Sequence, residues 1–154
     1  MLKIAIGCDP NATFMKEEIV RHLEKQGYQI IDFGSADVIY ANTAAAVAKA
    51  VADGECDRGI LFCGTGLGMS ISANKVEGAY AALLSDCYSA ERARKSNNAN
   101  IACIGAFTIG LSLAKRLIDV FLHTEYEDGT PSAAKIQRVI ELDHDKHREG
   151  AGQS

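Results

Sequence analysis

Five short apolar runs alternate along the chain with amphipathic helical patterns, and this alternation limits the possible folds more than any other feature. The predicted strands cover residues 2–8, 28–33, 59–62, 79–84 and 101–104. Strands that are apolar on both faces are typical of parallel sheets covered by helices on both sides. The sequence therefore predicts an α/β fold, a three-layer αβα sandwich around a five-stranded, parallel, Rossmann-like sheet with a C-terminal helix.

That last helical segment, residues 133–147, follows the polar break EYEDGTPS at residues 125–132. It is too short to be a domain, so we expect a single domain over residues 1–147 and a frayed tail over residues 148–154. Such a helix must pack on its own domain or on another subunit, and we expect a homodimer or a dimer of dimers. Its apolar face carries Ile136, Val139, Ile140 and Leu142.

Composition excludes several classes of protein. The 154 residues carry a net charge of −4 and show no basic stripe, which argues against a nucleic-acid partner. Because there is no apolar run of membrane length and no leader pattern, we expect a soluble, cytoplasmic protein without a membrane partner. The five cysteines are odd in number and lack CxxC spacing, which favours reduced thiols over disulfides or a metal site.

The segment CGTGLGMSISANK, residues 63–75, joins a cysteine at a strand end to a glycine-rich turn and a helix predicted from about Ser70. Such a junction presents unpaired backbone N–H groups at the positive end of a helix dipole. An anion, or an oxyanion formed during a reaction, is stabilised there, and a neighbouring thiol ionises more readily. Because sites in parallel sheets lie at the carboxyl ends of strands, Asp9 and Gly105 belong to the same rim.

Three interpretations of this loop stay open on the residues alone. A dinucleotide site would need a glycine or alanine where Met69 or Ile71 stands, although Asp86 follows at a suitable spacing. A structural turn would use glycine for positive φ and pack Cys63 beside it. A phosphosugar or hydroxycarbonyl site would use Cys63 on a carbon acid and the loop to bind charge. Three glycines remove the side chains from a whole loop, which is more than a turn needs, so the structural interpretation is weakened in favour of a closely approaching ligand.

From Met1 to about Glu127 the sequence resembles the ribose-5-phosphate isomerase B family, which also contains the galactose-6-phosphate isomerase subunits. The resemblance implies a metal-free aldose–ketose isomerisation of a phosphorylated sugar, without a cofactor, through a cis-enediolate. The motifs that carry it are KIAIGCD, GYQIIDFG, DRGILFCGTGLGMSISANKVEG, YSAERAR and NNAN.

The resemblance also implies the catalytic groups. Cys63 falls on the family's proton-moving base, and Thr65 on the hydroxyl that stabilises the intermediate. Backbone N–H groups of the loop would hold the enediolate oxygens, and the loop residues concerned are Gly64, Gly66, Leu67 and Gly68.

Three further substrate contacts are implied outside the loop. Asp9, at the tip of the first strand, would contact sugar hydroxyls, with a helix-start cap as the alternative. Tyr40 lines the loop after the second strand. Asn97 would contact the substrate, either within one chain or across a dimer.

The chain departs from the family pattern at the phosphate end and at the ring-opening group. The family's phosphate-binding arginines are absent, with Phe107 and residues 129–131 in their regions. Lys135 and Arg138 are the nearest candidate replacements, with a solvated helix face as the alternative. Ser96 stands where the family has the histidine that opens the sugar ring.

A four-carbon substrate would explain the missing histidine. In a tetrose 4-phosphate the hydroxyl that would close a furanose ring is esterified, so the sugar stays open. The stretch YSAERARKSNNAN, and YAN at residues 40–42, resemble the branch of the family that interconverts D-erythrulose 4-phosphate and D-erythrose 4-phosphate. Ribose 5-phosphate is the second choice of substrate. A sugar-phosphate-binding paralogue without turnover, or one subunit of a hetero-oligomeric isomerase, is the alternative.

Overall fold

The computed structural model describes residues 1–152 and contains one five-stranded parallel sheet flanked by six α-helices. The strands are β1 (Lys3–Cys8), β2 (Gln29–Asp32), β3 (Arg58–Cys63), β4 (Ala81–Leu83) and β5 (Ile101–Gly105). The helices are α1 (Thr13–Lys25), α2 (Tyr40–Ala52), α3 (Leu67–Ala73), α4 (Cys87–Lys95), α5 (Leu111–His123) and α6 (Ser132–Ala151). The predicted α/β sandwich is therefore confirmed.

The strand order in the sheet is β2-β1-β3-β5-β4. From β1 the chain continues to β2 on one side, and from β3 it continues to β4 and β5 on the other, so its direction reverses between the neighbouring strands β1 and β3. These two strands pair in parallel from Ile4↔Arg58 to Cys8↔Phe62. This reversal opens a crevice at the carboxyl ends of the two strands, where ligands bind in open α/β sheets. The fold thus places the residues after Cys8 and after Cys63 side by side.

Each face of the sheet has its own apolar core. One core contains Ile4, Ile6 and Phe62 and is covered by α1, α4 and α5. The other contains Ala5 and Leu61 and is covered by α2 and α3. Alternate residues of β1 and β3 thus enter opposite cores, because successive side chains of a strand point to opposite faces. This is the double burial that the continuous apolar runs predict.

Two helices differ in length from the prediction. Helix α3 begins at Leu67 rather than near Ser70, so Leu67 and Gly68 lie in its first turn. Helix α6 continues to Ala151, beyond the predicted end at 147, so residues 148–151 are helical. The remainder of the expected frayed tail, residues 153–154, lies outside the described residues.

Helix α6 is held at the opposite end of the sheet from the glycine loop. The carboxylate of Asp143 accepts hydrogen bonds from the Gly78 N–H and the Tyr80 hydroxyl, both at 2.9 Å. Both donors precede β4, and so they lie at the amino edge of the sheet. None of the described residues of α6 is buried, and Val139 and Leu142 are 46% and 52% exposed.

Among the helices within residues 1–152, none is long and apolar enough to cross a membrane.

Candidate active site

The glycine loop after β3 is the centre of the candidate site. Gly66 has φ +78° and precedes the first residue of α3, a left-handed conformation that glycine adopts without the usual steric cost. This turn brings the Gly66 N–H onto the sulfur of Cys63, with an N···Sγ distance of 3.0 Å. A donor in this position stabilises negative charge on the sulfur.

Thr65 lies at the outside of the same turn and is exposed. Its Oγ1 accepts a hydrogen bond from the Leu67 N–H at 3.3 Å. Because the hydroxyl acts as an acceptor there, its own hydrogen stays available for a ligand oxygen. The N–H groups of Gly68 and Met69 belong to the first turn of α3, which has no intrahelical acceptor for them. The loop and the start of α3 therefore carry the Thr65 hydroxyl and several backbone N–H groups as hydrogen-bond donors.

Tyr40, the first residue of α2, reaches the loop. A side-chain carbon placed on Gly68 would lie 2.5 Å from the Tyr40 hydroxyl oxygen, so the Tyr40 ring occupies the space above Gly68. The ring is 41% exposed and forms one wall of the crevice. The structure thus brings Tyr40 onto the glycine loop at Gly68.

Asp9 lies on the same rim, directly after β1. Its backbone N–H donates to the carbonyl of Phe62 at 3.0 Å, which ties it to the strand that carries Cys63. One carboxylate oxygen, Oδ1, accepts the Asn11 N–H at 2.9 Å and caps the short 3-10 turn Pro10–Ala12. The cap uses one of the two carboxylate oxygens, so capping and contact with a ligand are compatible at this residue.

Three of the other cysteines lie in the apolar cores of the sheet. Burial raises the pKa of Cys8 to about 11, and burial also raises the pKa of Cys103 and of Cys56. These thiols are neutral near pH 7. Cys63 is 6% exposed, and its sulfur accepts the Gly66 N–H.

Asn97, Lys135 and Arg138 are not brought to this loop within one chain. Asn97 lies between α4 and the start of β5, at the amino edge of the sheet, and a cavity there joins it to Ile136 and Val139 of α6. Lys135 and Arg138 are exposed on that helix, and Arg138 pairs with Glu141 at 3.2 Å. Within a single chain these three residues therefore lie away from the glycine loop, and their role as substrate contacts stays a prediction.

Phe107 also lies on the rim, although the sequence alone assigns it no role. Its backbone N–H donates to the Gly64 carbonyl at 2.9 Å, and its side chain is 72% exposed. Its position directly after β5 is the signal in the sequence, because residues at the carboxyl end of a parallel strand, such as Gly105, lie on the rim.

The acidic residue that a dinucleotide site would use has a different role in the structure. Asp86 is the N-cap of α4, and its carboxylate accepts the Ser89 N–H at 2.7 Å and the Ser89 hydroxyl at 2.7 Å. These bonds hold the pKa of Asp86 below its usual value. A carboxylate engaged in this way has a structural role at a helix start.

Comparison with known proteins agrees with this geometry. The sequence profile of the Ribose/Galactose Isomerase family matches residues 4–139. A ribose-5-P isomerase B of Listeria innocua is 46% identical over 92% of this chain and 97% of its own length. A D-erythrulose-4-phosphate isomerase of Pectobacterium atrosepticum is 44% identical over 96% of this chain and 100% of its own length. The structure of Clostridium thermocellum ribose-5-phosphate isomerase B superposes with a TM-score of 0.89 at 41% identity, covering 94% of this chain and 99% of the other.

The similarity to sugar-phosphate isomerases extends along nearly the whole chain, in sequence and in fold, and this protein is an enzyme of that class. The chain belongs to the ribose/galactose isomerase family, which includes ribose-5-phosphate isomerase B.

Proposed function

We propose that this enzyme interconverts D-erythrulose 4-phosphate and D-erythrose 4-phosphate, with Cys63 as the base. The thiolate of Cys63 removes a proton from C1 of the ketose, and the electron pair of the C–H bond forms the cis-enediolate. The same proton returns to C2 while the hydroxyl proton passes from O1 to O2, which yields the aldose. No oxidant or cofactor enters this balance.

The loop supplies the stabilisation that this step needs. Abstraction of a proton beside a carbonyl places negative charge on oxygen, and preorganised N–H and O–H donors lower the energy of that charge. The free hydroxyl hydrogen of Thr65 and the N–H groups of the first turn of α3 are such donors. Asp9 and Tyr40 line the same crevice and would position the sugar hydroxyls.

One observation carries the preference for a four-carbon substrate. The hydroxyl of Ser96 donates to the Arg92 carbonyl at 3.1 Å and accepts from Arg92 Nε at 3.2 Å. This hydroxyl completes the last turn of α4, and a serine does not titrate near neutral pH. Since the position holds no acid or base to open a sugar ring, a substrate that stays open is favoured. The similarity to the erythrulose-4-phosphate isomerase of Pectobacterium supports the same choice.

The proposal includes a homodimer in which each site is completed by the second copy. Cys63 and Asn97 lie at opposite ends of parallel strands, and the five residues of β5 span about 16 Å at roughly 3.3 Å per residue. Asn97, Lys135 and Arg138 share the amino edge, and the apolar face of α6 beside them is exposed. A two-fold arrangement that covers this face would bring one copy's amino edge toward the other's glycine loop.

The proposal places the enzyme in the cytoplasm, supported by its similarity to bacterial metabolic enzymes.

Turnover of the purified protein tests this function. D-erythrulose 4-phosphate and D-ribose 5-phosphate are supplied separately to the wild type, to Cys63→Ala and to Cys56→Ala, which alters a buried thiol ahead of β3. We expect faster turnover of the tetrose, lost in Cys63→Ala and kept in Cys56→Ala. Faster turnover of ribose 5-phosphate would show that another group opens the ring and that the tetrose assignment is wrong. Absence of turnover on both sugars would refute the proposal.

A further inference from the structure

Phe107 is fixed in position at the edge of the glycine loop. The Ala106 N–H donates to the Cys63 carbonyl at 2.8 Å, and the Phe107 N–H donates to the Gly64 carbonyl at 2.9 Å. The following turn closes on Gly105, whose carbonyl accepts the Ile109 N–H at 3.1 Å. The backbone that carries Phe107 is therefore bonded both to the loop and to the end of β5, which limits how far the ring can move.

The ring itself lies directly against the loop. A side-chain carbon placed on Gly64 would lie 2.9 Å from Cδ2 and 3.0 Å from Cε2 of Phe107, so the absence of a side chain at Gly64 permits the contact. The rest of the ring is open to solvent, with 72% of the residue exposed. An apolar surface beside the N–H donors of the loop is thus available to a ligand in the crevice.

Behind the ring lies a cavity of about 270 Å³ between the start of α1 and the start of α5. Its lining contains no charged side chain, and it includes Asn11, Phe14, Met15, Ile109 and Leu111 besides Phe107. Phe107 thus stands between this cavity and the glycine loop. A sugar chain that extends from Cys63 past Gly64 would meet the ring before it reached the cavity.

We propose that Phe107 is a specificity-determining residue that limits the length of the sugar chain. The ring forms the end wall of the substrate crevice, so that a four-carbon chain ends against it and a longer chain is excluded. This inference rests on the proposed function for the identity of the substrate. The role of the ring as a wall does not depend on which sugar is the substrate, because removal of the ring would join the cavity to the crevice in either case.

The test uses stable open-chain analogues, which avoid both catalysis and ring opening. The dissociation constants of 4-phospho-D-erythronate and 5-phospho-D-ribonate are measured by calorimetry for the wild type, Phe107→Ala and Phe14→Ala. Phe14→Ala is the matched control, because it also removes a phenylalanine from the cavity lining but lies on α1. For Phe107→Ala we expect the affinity for the longer analogue, relative to the shorter one, to rise by about tenfold. This is the lower end of the discrimination that a pocket achieves for one carbon more or less. For Phe14→Ala we expect no comparable change.

Several outcomes would overturn the inference. These are an unchanged ratio in Phe107→Ala, an equal shift in Phe14→Ala, or failure of the wild type to bind either analogue. A shifted ratio without turnover of any sugar would uphold the role of Phe107 and refute the proposed function. Turnover of the tetrose with an unchanged ratio would uphold the proposed function and refute the role of Phe107. The two conclusions can therefore fail separately.

Discussion

The N–H of Gly66 points at the sulfur of Cys63 across 3.0 Å, and this contact exists because Gly66 holds a backbone conformation that other residues avoid. The turn therefore links a conformational requirement at Gly66 to a hydrogen bond on the sulfur of Cys63. The cysteine proposed as the base and its N–H donor come from the same short segment, so their relative position depends on few long-range contacts.

Gly66→Ala should damage both stability and catalysis. The new side chain would have to adopt φ +78° and would lie 2.6 Å from Leu83 Cδ1. The left-handed conformation costs about 1–2 kcal/mol and the overlap about 1–3 kcal/mol. Gly129→Ala is the control, because its φ is +76° and nothing lies within 4 Å of the added carbon. Urea unfolding should show the larger loss for Gly66→Ala, and only that variant should lose turnover. Equal losses in stability would mean that the overlap at Leu83 costs nothing.

The ion pair between Lys16 and Asp32 should respond unequally to the loss of each partner. Lys16 Nζ lies 2.8 Å from both oxygens of Asp32, with side-chain exposures of 5% and 45%. Asp32→Ala leaves a buried ammonium without its partner, which costs about 3 kcal/mol or more. Lys16→Met leaves a carboxylate that water already reaches, and it keeps the apolar stem packed, so we expect a loss of about 1 kcal/mol. Urea unfolding that gave equal losses, or the reverse order, would contradict this account.

His147 should stabilise the attachment of α6 in a pH-dependent way. Its ring nitrogens lie 2.8 Å from the Asp143 carbonyl and 3.1 Å from the Lys75 carbonyl. Only the protonated ring donates to both. Those two bonds, with the charges of Asp143 and Glu77, raise the pKa of His147 above 6.5. Its contribution is therefore complete below about pH 6.5 and is lost as the pH rises through the raised pKa.

The measurement is the free energy of unfolding of the wild type and of His147→Gln at pH 6 and pH 9. We expect the difference between them to be larger at pH 6. His123→Gln, at the exposed end of α5, is the control and should show a smaller change with pH. A difference that grew toward pH 9 would contradict the direction of the pKa shift.

The sequence predicted the type and order of the elements because each strand and helix carries its own periodicity. The five predicted apolar runs correspond to the five strands β1 to β5. The start of α3 was placed too late because Gly66 and Gly68 suggested a longer loop, whereas Leu67 and Gly68 are helical. The order β2-β1-β3-β5-β4 depends on contacts between distant segments, which a local pattern does not contain.

The candidate site was predictable to the extent that it is local. Cys63, Thr65 and the loop glycines are consecutive, and Asp9 and Tyr40 follow neighbouring strands, so the rule for parallel sheets places them together. Asn97 precedes a strand, and the same rule would have put it at the opposite edge. The position of the Phe107 ring on Gly64 depends on packing between two separate loops, and no spacing in the sequence indicates it.

The separation of Cys63 from Asn97 makes the proposed shared site testable by mixing variants. Cys63→Ala and Asn97→Ala should each be inactive, yet the mixed dimer, co-expressed and purified through two different tags, should regain about one half of the wild-type activity, because one of its two sites is intact. The mixed assembly should have at least twice the 16.5 kDa mass of the chain. Cys63→Ala mixed with Thr65→Ala is the control and should stay inactive, since both changes fall in the same half of the site. Recovery in neither mixture, with the dimer mass observed, would show that Asn97 does not act across the interface.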